Sequence, residues 1–152
     1  RDAASMLIEA VLPLATMMTP NLPEAGMLLR SSPPDSLRDM QRAAERLRRL
    51  LPDSGQCWVL LKGGHLPGDA IDLLYDGDRM IEFSAPRIET RNTHGTGCSL
   101  SGAIAALLPR TEVPDAVGQA KRWLTEAISR SGELTVGQGH GPVHHFHRLW
   151  SR

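Results

Sequence analysis

Asn92-Thr93-His94-Gly95-Thr96-Gly97-Cys98 is the segment of this 152-residue chain best suited to chemistry. Its glycines stand one residue apart and run straight into a small-residue helix pattern. That arrangement leaves several backbone N–H groups aimed at one spot, and the positive end of the helix dipole favours an anion there. Phosphate is the natural ligand for such a turn, although Gly-x-Gly taken alone suits a plain helix start equally well. Cys98 sharpens the reading. A thiol at a helix N-terminus has its thiolate stabilised and is more reactive than a buried structural cysteine. The bland alternative is a small, half-buried packing residue.

Other sites carry weaker signals. Asn21-x-x-Glu24 places polar side chains on one face of a first helical turn; the same spacing is a capping box, in which Asn21 and Glu24 serve only the helix. Lys62 ends an apolar, strand-like run just before Gly63-Gly64. In a parallel sheet, ligands bind outside the carboxyl ends of the strands, so Lys62 is a candidate for nucleotide phosphate, with a snorkelling strand-end lysine as the alternative. Gly63 and Gly64 would leave room for a phosphate, and His65 is as well suited to holding the loop. His140, His144, His145 and His147 fit no strong metal-ligand spacing.

Taken in order, Thr19-Pro20-Asn21-Leu22-Pro23-Glu24-Ala25, Leu61-Lys62-Gly63-Gly64-His65-Leu66, Asn92 to Ser99 and Gly139-His140-Gly141-Pro142-Val143 form a set. The set resembles the bacterial hydroxymethylpyrimidine/phosphomethylpyrimidine kinases of thiamine biosynthesis, in the ribokinase-like superfamily. The most discriminating residue is Cys98, because most ribokinase-like enzymes have Asp there. The resemblance implies a three-layer αβα fold with a mainly parallel sheet, ATP and Mg²⁺ as cofactors, and a small pyrimidine alcohol as substrate. It implies that the amides of Gly95, Thr96, Gly97 and Cys98 form an anion hole, with Cys98 beside the acceptor hydroxyl. It also implies nucleotide contacts from Lys62 and Thr93, and ordering of Mg²⁺ and its water by Asn21 and Glu24. Pyridoxal kinase activity is the nearest enzymatic alternative.

The same resemblance implies that residues 1–152 are the C-terminal part of a single kinase domain whose pyrimidine-contacting half precedes Arg1. A non-catalytic nucleotide-binding fragment is therefore the alternative of a different class, with little turnover and weak Mg-ATP binding expected of the chain alone. An exposed sheet edge and apolar face would then favour self-association into a homo-oligomer.

The elements that must position these residues are legible from periodicity. Residues 3–12 have helical spacing, with Ala4, Leu7, Ile8, Val11 and Leu12 as an apolar stripe ended by Pro13. Leu14 to Thr19 suits a buried strand, and Pro23 opens a short helix. Asp35 or Ser36 caps a helix over 36–51, with Leu37, Met40, Ala44, Leu47, Leu50 and Leu51 inward. The arginines on its outer face suit a solvated surface better than an anion patch. Cys57 to Lys62 is a buried strand, and Ala70–Tyr75 with Arg79–Phe83 forms a hairpin. Residues 85–90 suit another strand. Helices follow over 99–108, ended by Pro109, and over 112–130. Strand–helix alternation argues for the α/β class.

Composition sets the outer bounds. Lys and Arg together number 17 against 17 Asp and Glu, and aromatics make up 4%. Zero net charge argues against a nucleic-acid or polyanion binder, and few aromatics argue against a stacking platform for single-stranded nucleic acid. Cys57 and Cys98 make neither a disulfide framework nor a zinc site, which fits a reducing, cytoplasmic setting. No apolar run approaches the roughly 20 residues that span a bilayer.

Overall fold

The computed structural model describes residues 3–53, 55–64 and 66–150, which divide into compact units at residues 84 and 85. His65 lies outside the described residues.

The first unit is built on a sheet in the order β1 (Met17–Met18), β2 (Trp58–Lys62), β3 (Ala70–Tyr75) and β4 (Met80–Ala85). Trp58, Val59, Leu60 and Leu61 are all buried, on both faces of the pleat, as a continuous apolar run requires. β1 runs parallel to β2, with Met17 opposite Trp58 and Met18 opposite Val59. β2 runs antiparallel to β3, from Val59 opposite Tyr75 to Lys62 opposite Asp72. The α/β class holds, while the sheet in this chain is mixed rather than mainly parallel. The reason is the hairpin: a link as short as residues 76–79 cannot make the crossover that parallel neighbours need. At its tip Asp76 Oδ1 accepts the amides of Asp78 (2.9 Å) and Arg79 (2.8 Å).

Helices α2 (Leu22–Leu28) and α3 (Leu37–Arg48) pack on this sheet. Ser36 caps α3, accepting the Asp39 amide at 3.2 Å. Met40, Ala43, Ala44 and Leu47 from α3 join Leu22, Ala25, Val59, Leu61 and Leu73 in one core. On its outer face Arg46 donates to the Leu29 carbonyl, and Arg48 to the carbonyls of Asp76 and Pro52. These arginines tie down backbone.

Three expectations change. The helical stretch begins as α1 (Ala3–Met6), widens to a π turn over Leu7–Val11 and tightens to a 3₁₀ turn over Leu12–Leu14. The wider turn breaks the 3.6-residue register, so Leu7 and Val11 are exposed and only Leu12 of the stripe is buried. Pro13 sits within that 3₁₀ turn, so Leu14 is helical and the strand shrinks to Met17–Met18. Beyond Ala85, residues 86–90 are not strand, because Pro86 has no N–H for a ladder.

The second unit carries α4 (Thr96–Leu107) packed against α5 (Val113–Ser129), followed by a 3₁₀ turn at Ser131–Glu133 and a tail to Trp150. Ala116, Val117, Ala120, Leu124 and Ala127 of α5 are buried at helical spacing. Among the described residues, no helix is long and apolar enough to cross a membrane.

Candidate functional site

In the first unit, the parallel pairing of β1 and β2 continues past β1 as a bridge between Asn21 and Lys62. The Lys62 amide donates to the Pro20 carbonyl at 2.9 Å, and Nζ donates to the Thr19 carbonyl at 2.6 Å. An ammonium has further N–H donors to offer an anion. Asn21, Glu24 and Lys62 are thus brought together at the carboxyl ends of parallel strands.

Asn21 and Glu24 form the reciprocal capping box of α2. Asn21 Oδ1 accepts the Glu24 amide at 2.8 Å, and Glu24 Oε2 accepts the Asn21 amide at 2.7 Å. Glu24 is exposed, and its Oε1 makes no hydrogen bond among the described residues. Both readings of the spacing are therefore compatible: the box consumes one carboxylate oxygen and leaves the other. One free carboxylate oxygen and a nearby amide are too few for a direct Mg²⁺ cage, but they suit an ion that keeps most of its water.

Sequence reasoning missed Asp72. It is buried, faces Lys62 across the sheet and accepts the Gly63 amide through Oδ1 at 3.0 Å. It fixes the turn that leaves β2. A Cβ on Gly63 would lie 2.2 Å from the Ile71 carbonyl oxygen. Gly63 is therefore required by close strand approach, whereas Gly64 has open space around it.

In the second unit, α4 starts one turn earlier than its small-residue run suggests, so Thr96, Gly97 and Cys98 form its first turn. Gly95 is the N-cap in the left-handed region (φ 79°), where glycine carries no Cβ penalty, and no side chain caps the helix. The Ser99 amide is taken by the Gly95 carbonyl at 2.9 Å, and the Thr96 amide reaches Thr93 O at 3.4 Å. Among the described residues, the amides of Gly97 and Cys98 have no acceptor, as expected of a helix start without a cap. Cys98 is exposed, so the half-buried packing alternative does not apply. Thr93 is exposed on the approach to this turn.

The tail braces the loop. His94 pairs with Pro142 in a parallel bridge, and its amide donates to Gly141 O at 3.2 Å. Asn92 Oδ1 accepts the Gly141 amide at 3.1 Å, while Asn92 Nδ2 donates to Ser131 O at 3.1 Å. The Gly139–Val143 motif thus holds the Asn92–Cys98 motif. A shallow polar cleft of about 350 Å³ lies beside them, lined by Arg91, Asn92, Gly137, Gln138 and Gly139. Further along, Ser99 Oγ lies 2.8 Å from His145 Nε2. Sequence gave no signal for that pair.

The tail is also tied to α5. Arg148 makes a two-pronged contact to Glu126, with Nε and Nη2 each 2.9 Å from a carboxylate oxygen, and His147 Nε2 lies 3.1 Å from Glu126 Oε2. The Arg148 hydrogen bonds, then that of His147, hold Glu126 down from 4.5 to about 2. His144 and His147 are buried. Among the described residues, no group of three or more His, Cys, Asp and Glu could hold a metal ion.

A mixed sheet carrying helices in the first unit, and a packed helix pair in the second, define an α/β protein. Pyridoxal kinase of Bacillus subtilis, solved as an ADP complex, is similar over 95% of this chain and 55% of that one, with a TM-score of 0.85 and 36% identity. The fold is that of the ribokinase-like kinases. Residues 1–144 match the phosphomethylpyrimidine kinase family, and the chain belongs to it. The hydroxymethylpyrimidine/phosphomethylpyrimidine kinase of Rhizobium meliloti is 50% identical over 151 residues, 98% of this chain and 55% of that protein. A thiamine biosynthesis bifunctional protein of Geobacter sulfurreducens is 46% identical over 147 residues, 95% of this chain and 29% of that protein. The chain spans about half the length of the kinase relatives it matches first.

Proposed function

We propose that this chain carries the phosphate-handling residues of a kinase that transfers a phosphoryl group from ATP to 4-amino-5-hydroxymethyl-2-methylpyrimidine, and then to its monophosphate. The observation that carries the proposal is the first turn of α4, with acceptor-free amides at Gly97 and Cys98 and an exposed thiol on the same turn. Phosphoryl transfer needs little covalent help from protein: the acceptor oxygen must be placed and the charge on the transferred group offset. Within the Gly95–Cys98 turn, the amides of Gly97 and Cys98 bind that charge, and Cys98 takes the proton leaving the acceptor hydroxyl. Lys62 holds the nucleotide phosphates, with Thr93 at the approach to the α4 turn. Asn21 and Glu24 would hold Mg²⁺ through water, and that ion, when bound, neutralises phosphate charge. The reaction belongs to the cytoplasm, where ATP is available.

A second reading, pyridoxal phosphorylation, is favoured by the likeness to the Bacillus subtilis enzyme. It is the weaker one, since identity is 36% there against 50% for the Rhizobium meliloti kinase. The test is an ADP-release assay on this chain joined to the part of the Rhizobium enzyme it does not match. Turnover with the pyrimidine alcohol and its monophosphate, exceeding that with pyridoxal, is the expected result. ADP release from pyridoxal alone would replace the first reading by the second.

A further inference from the structure

The first turn of α4 is weakly held by its own sequence. Its cap is Gly95 without a side-chain bond, and Gly97 adds backbone freedom within the turn. The tail supplies what the cap lacks. Ser99, whose amide closes the first turn on Gly95 O at 2.9 Å, has its Oγ 2.8 Å from His145 Nε2. Helical side chains lean toward the N-terminus, so this contact falls on the end of the helix that carries Cys98.

His145 is itself firmly placed, although exposed. The residues on either side of it, His144 and Phe146, precede the buried His147, whose Nδ1 lies 3.0 Å from His144 O and whose backbone carbonyl accepts Arg130 Nη1 at 3.1 Å. The His144 amide donates to Ala127 O of α5 at 2.9 Å, and the His145 ring stands 6.1 Å from that of Trp123, centroid to centroid. A surface histidine held this way can hold something else.

We propose that His145 is a positioning residue: through Ser99 it holds the first turn of α4, and with it Cys98 and the free amides, in register. Its relevance to phosphoryl transfer rests on the reading of that turn as the phosphate site. The positioning itself does not.

The test uses the purified 152-residue chain and Ellman's reagent at one fixed pH. Cys57 is buried with Sγ against Ala15 O, so the fast phase reports the exposed Cys98. His145→Gln keeps an N–H at similar reach but loses the ring; His145→Phe keeps a ring against Trp123 but loses the hydrogen bond; Ser99→Ala removes the partner. The Ser99–His145 contact fixes how the first turn of α4 presents Cys98 to the reagent, so His145→Phe and Ser99→Ala are expected to change the fast-phase rate about threefold or more, both in the same direction. His145→Gln is expected to react like the parent chain. Equal rates for parent and His145→Phe, or a His145→Gln that departs from the parent as far as His145→Phe does, would overturn the proposal. Mg-ADP is the second arm. Protection of Cys98 in the parent, needing several-fold more Mg-ADP in His145→Phe, supports both levels of the argument. A parent left unprotected by Mg-ADP, both alone and when joined to its Rhizobium complement, defeats the nucleotide reading only, because the ranking of the unliganded variants still decides the role of His145.

Discussion

Asn92 Oδ1 accepts the Gly141 amide at 3.1 Å, and the fit is so close that a Cβ on Gly141 would lie 2.5 Å from that same oxygen. Residues nearly fifty positions apart are thereby locked together by a bond that needs an amide on one side and no side chain on the other. The neighbouring bridge of His94 to Pro142 depends on this approach. Gly141→Ala should therefore push Asn92 away and release the loop that leads into α4. Overpacking of this kind costs about 1–3 kcal/mol, so the melting temperature should fall, with faster amide exchange over 92–99. An unchanged melt would mean that the tail does not brace the loop.

Glu126 sets the behaviour of the tail in acid. Its carboxyl is held at about 2 by Arg148 and His147, against an ordinary 4.5. The unfolded chain therefore binds more protons than the folded one between these values, and stability rises with pH across that window. The contribution is whole above about pH 4.5 and is lost as pH falls toward 2. Melting temperatures recorded from pH 5 down to pH 2.5 should drop less steeply for Glu126→Gln than for the parent. Because Glu126 is exposed, salt should shrink the difference. Parallel curves would deny the carboxylate its role.

What the sequence disclosed, and what it hid, divides by the range of the interactions. The strand Trp58–Lys62 and the helices α3 and α5 follow from apolar spacing and caps that lie within the element itself. The hairpin followed from Asp76-Gly77-Asp78, whose turn chemistry is local. The π turn at Leu7–Val11 did not, because its residues have ordinary helical spacing and nothing in their types marks the wider turn. Residues 86–90 resembled a strand until Pro86 is asked for an N–H it lacks. The candidate site shows the same division. Gly95 to Cys98 announced a helix start with free amides, and Asn21 with Glu24 announced a capping box. The pairing of His94 with Pro142 and of Ser99 with His145 comes from chain returning across the fold, which no short window of sequence contains, whereas Asp72 meets Gly63 only nine residues away and depends on the register of β2 with β3.

The capping box allows structure and metal handling to be separated at Glu24. Asn21→Ala removes the acceptor for the Glu24 amide and should cost about 0.5–2 kcal/mol of stability. Glu24→Gln keeps a side-chain oxygen for the Asn21 amide but removes the charge, so its melt should match the parent. If Glu24 also steadies Mg²⁺ through water, the Mg²⁺ concentration giving half-maximal Mg-ADP binding should rise several-fold in Glu24→Gln. A Glu24→Gln variant with parent-like melt and parent-like Mg²⁺ titration would leave the box a helix cap and nothing more.

Cys98 gives the sharpest test of the proposed chemistry, since its exposure makes substitution cheap for the fold. Serine at this position keeps the first turn of α4 and its free amides, so Mg-ADP affinity should stay within about twofold of the parent, anion binding there coming from backbone and dipole. The change removes the group proposed to take the acceptor proton, because an ordinary hydroxyl is far too weak a base at neutral pH. Positioned general bases contribute roughly 10²–10⁴-fold, and turnover of Cys98→Ser in the chain joined to its Rhizobium complement should fall within that range. Cys98→Asp restores a group able to accept a proton and should recover part of the loss. Affinity and turnover falling together would assign Cys98 to holding phosphate, and turnover equal to the parent would remove the thiol from the mechanism.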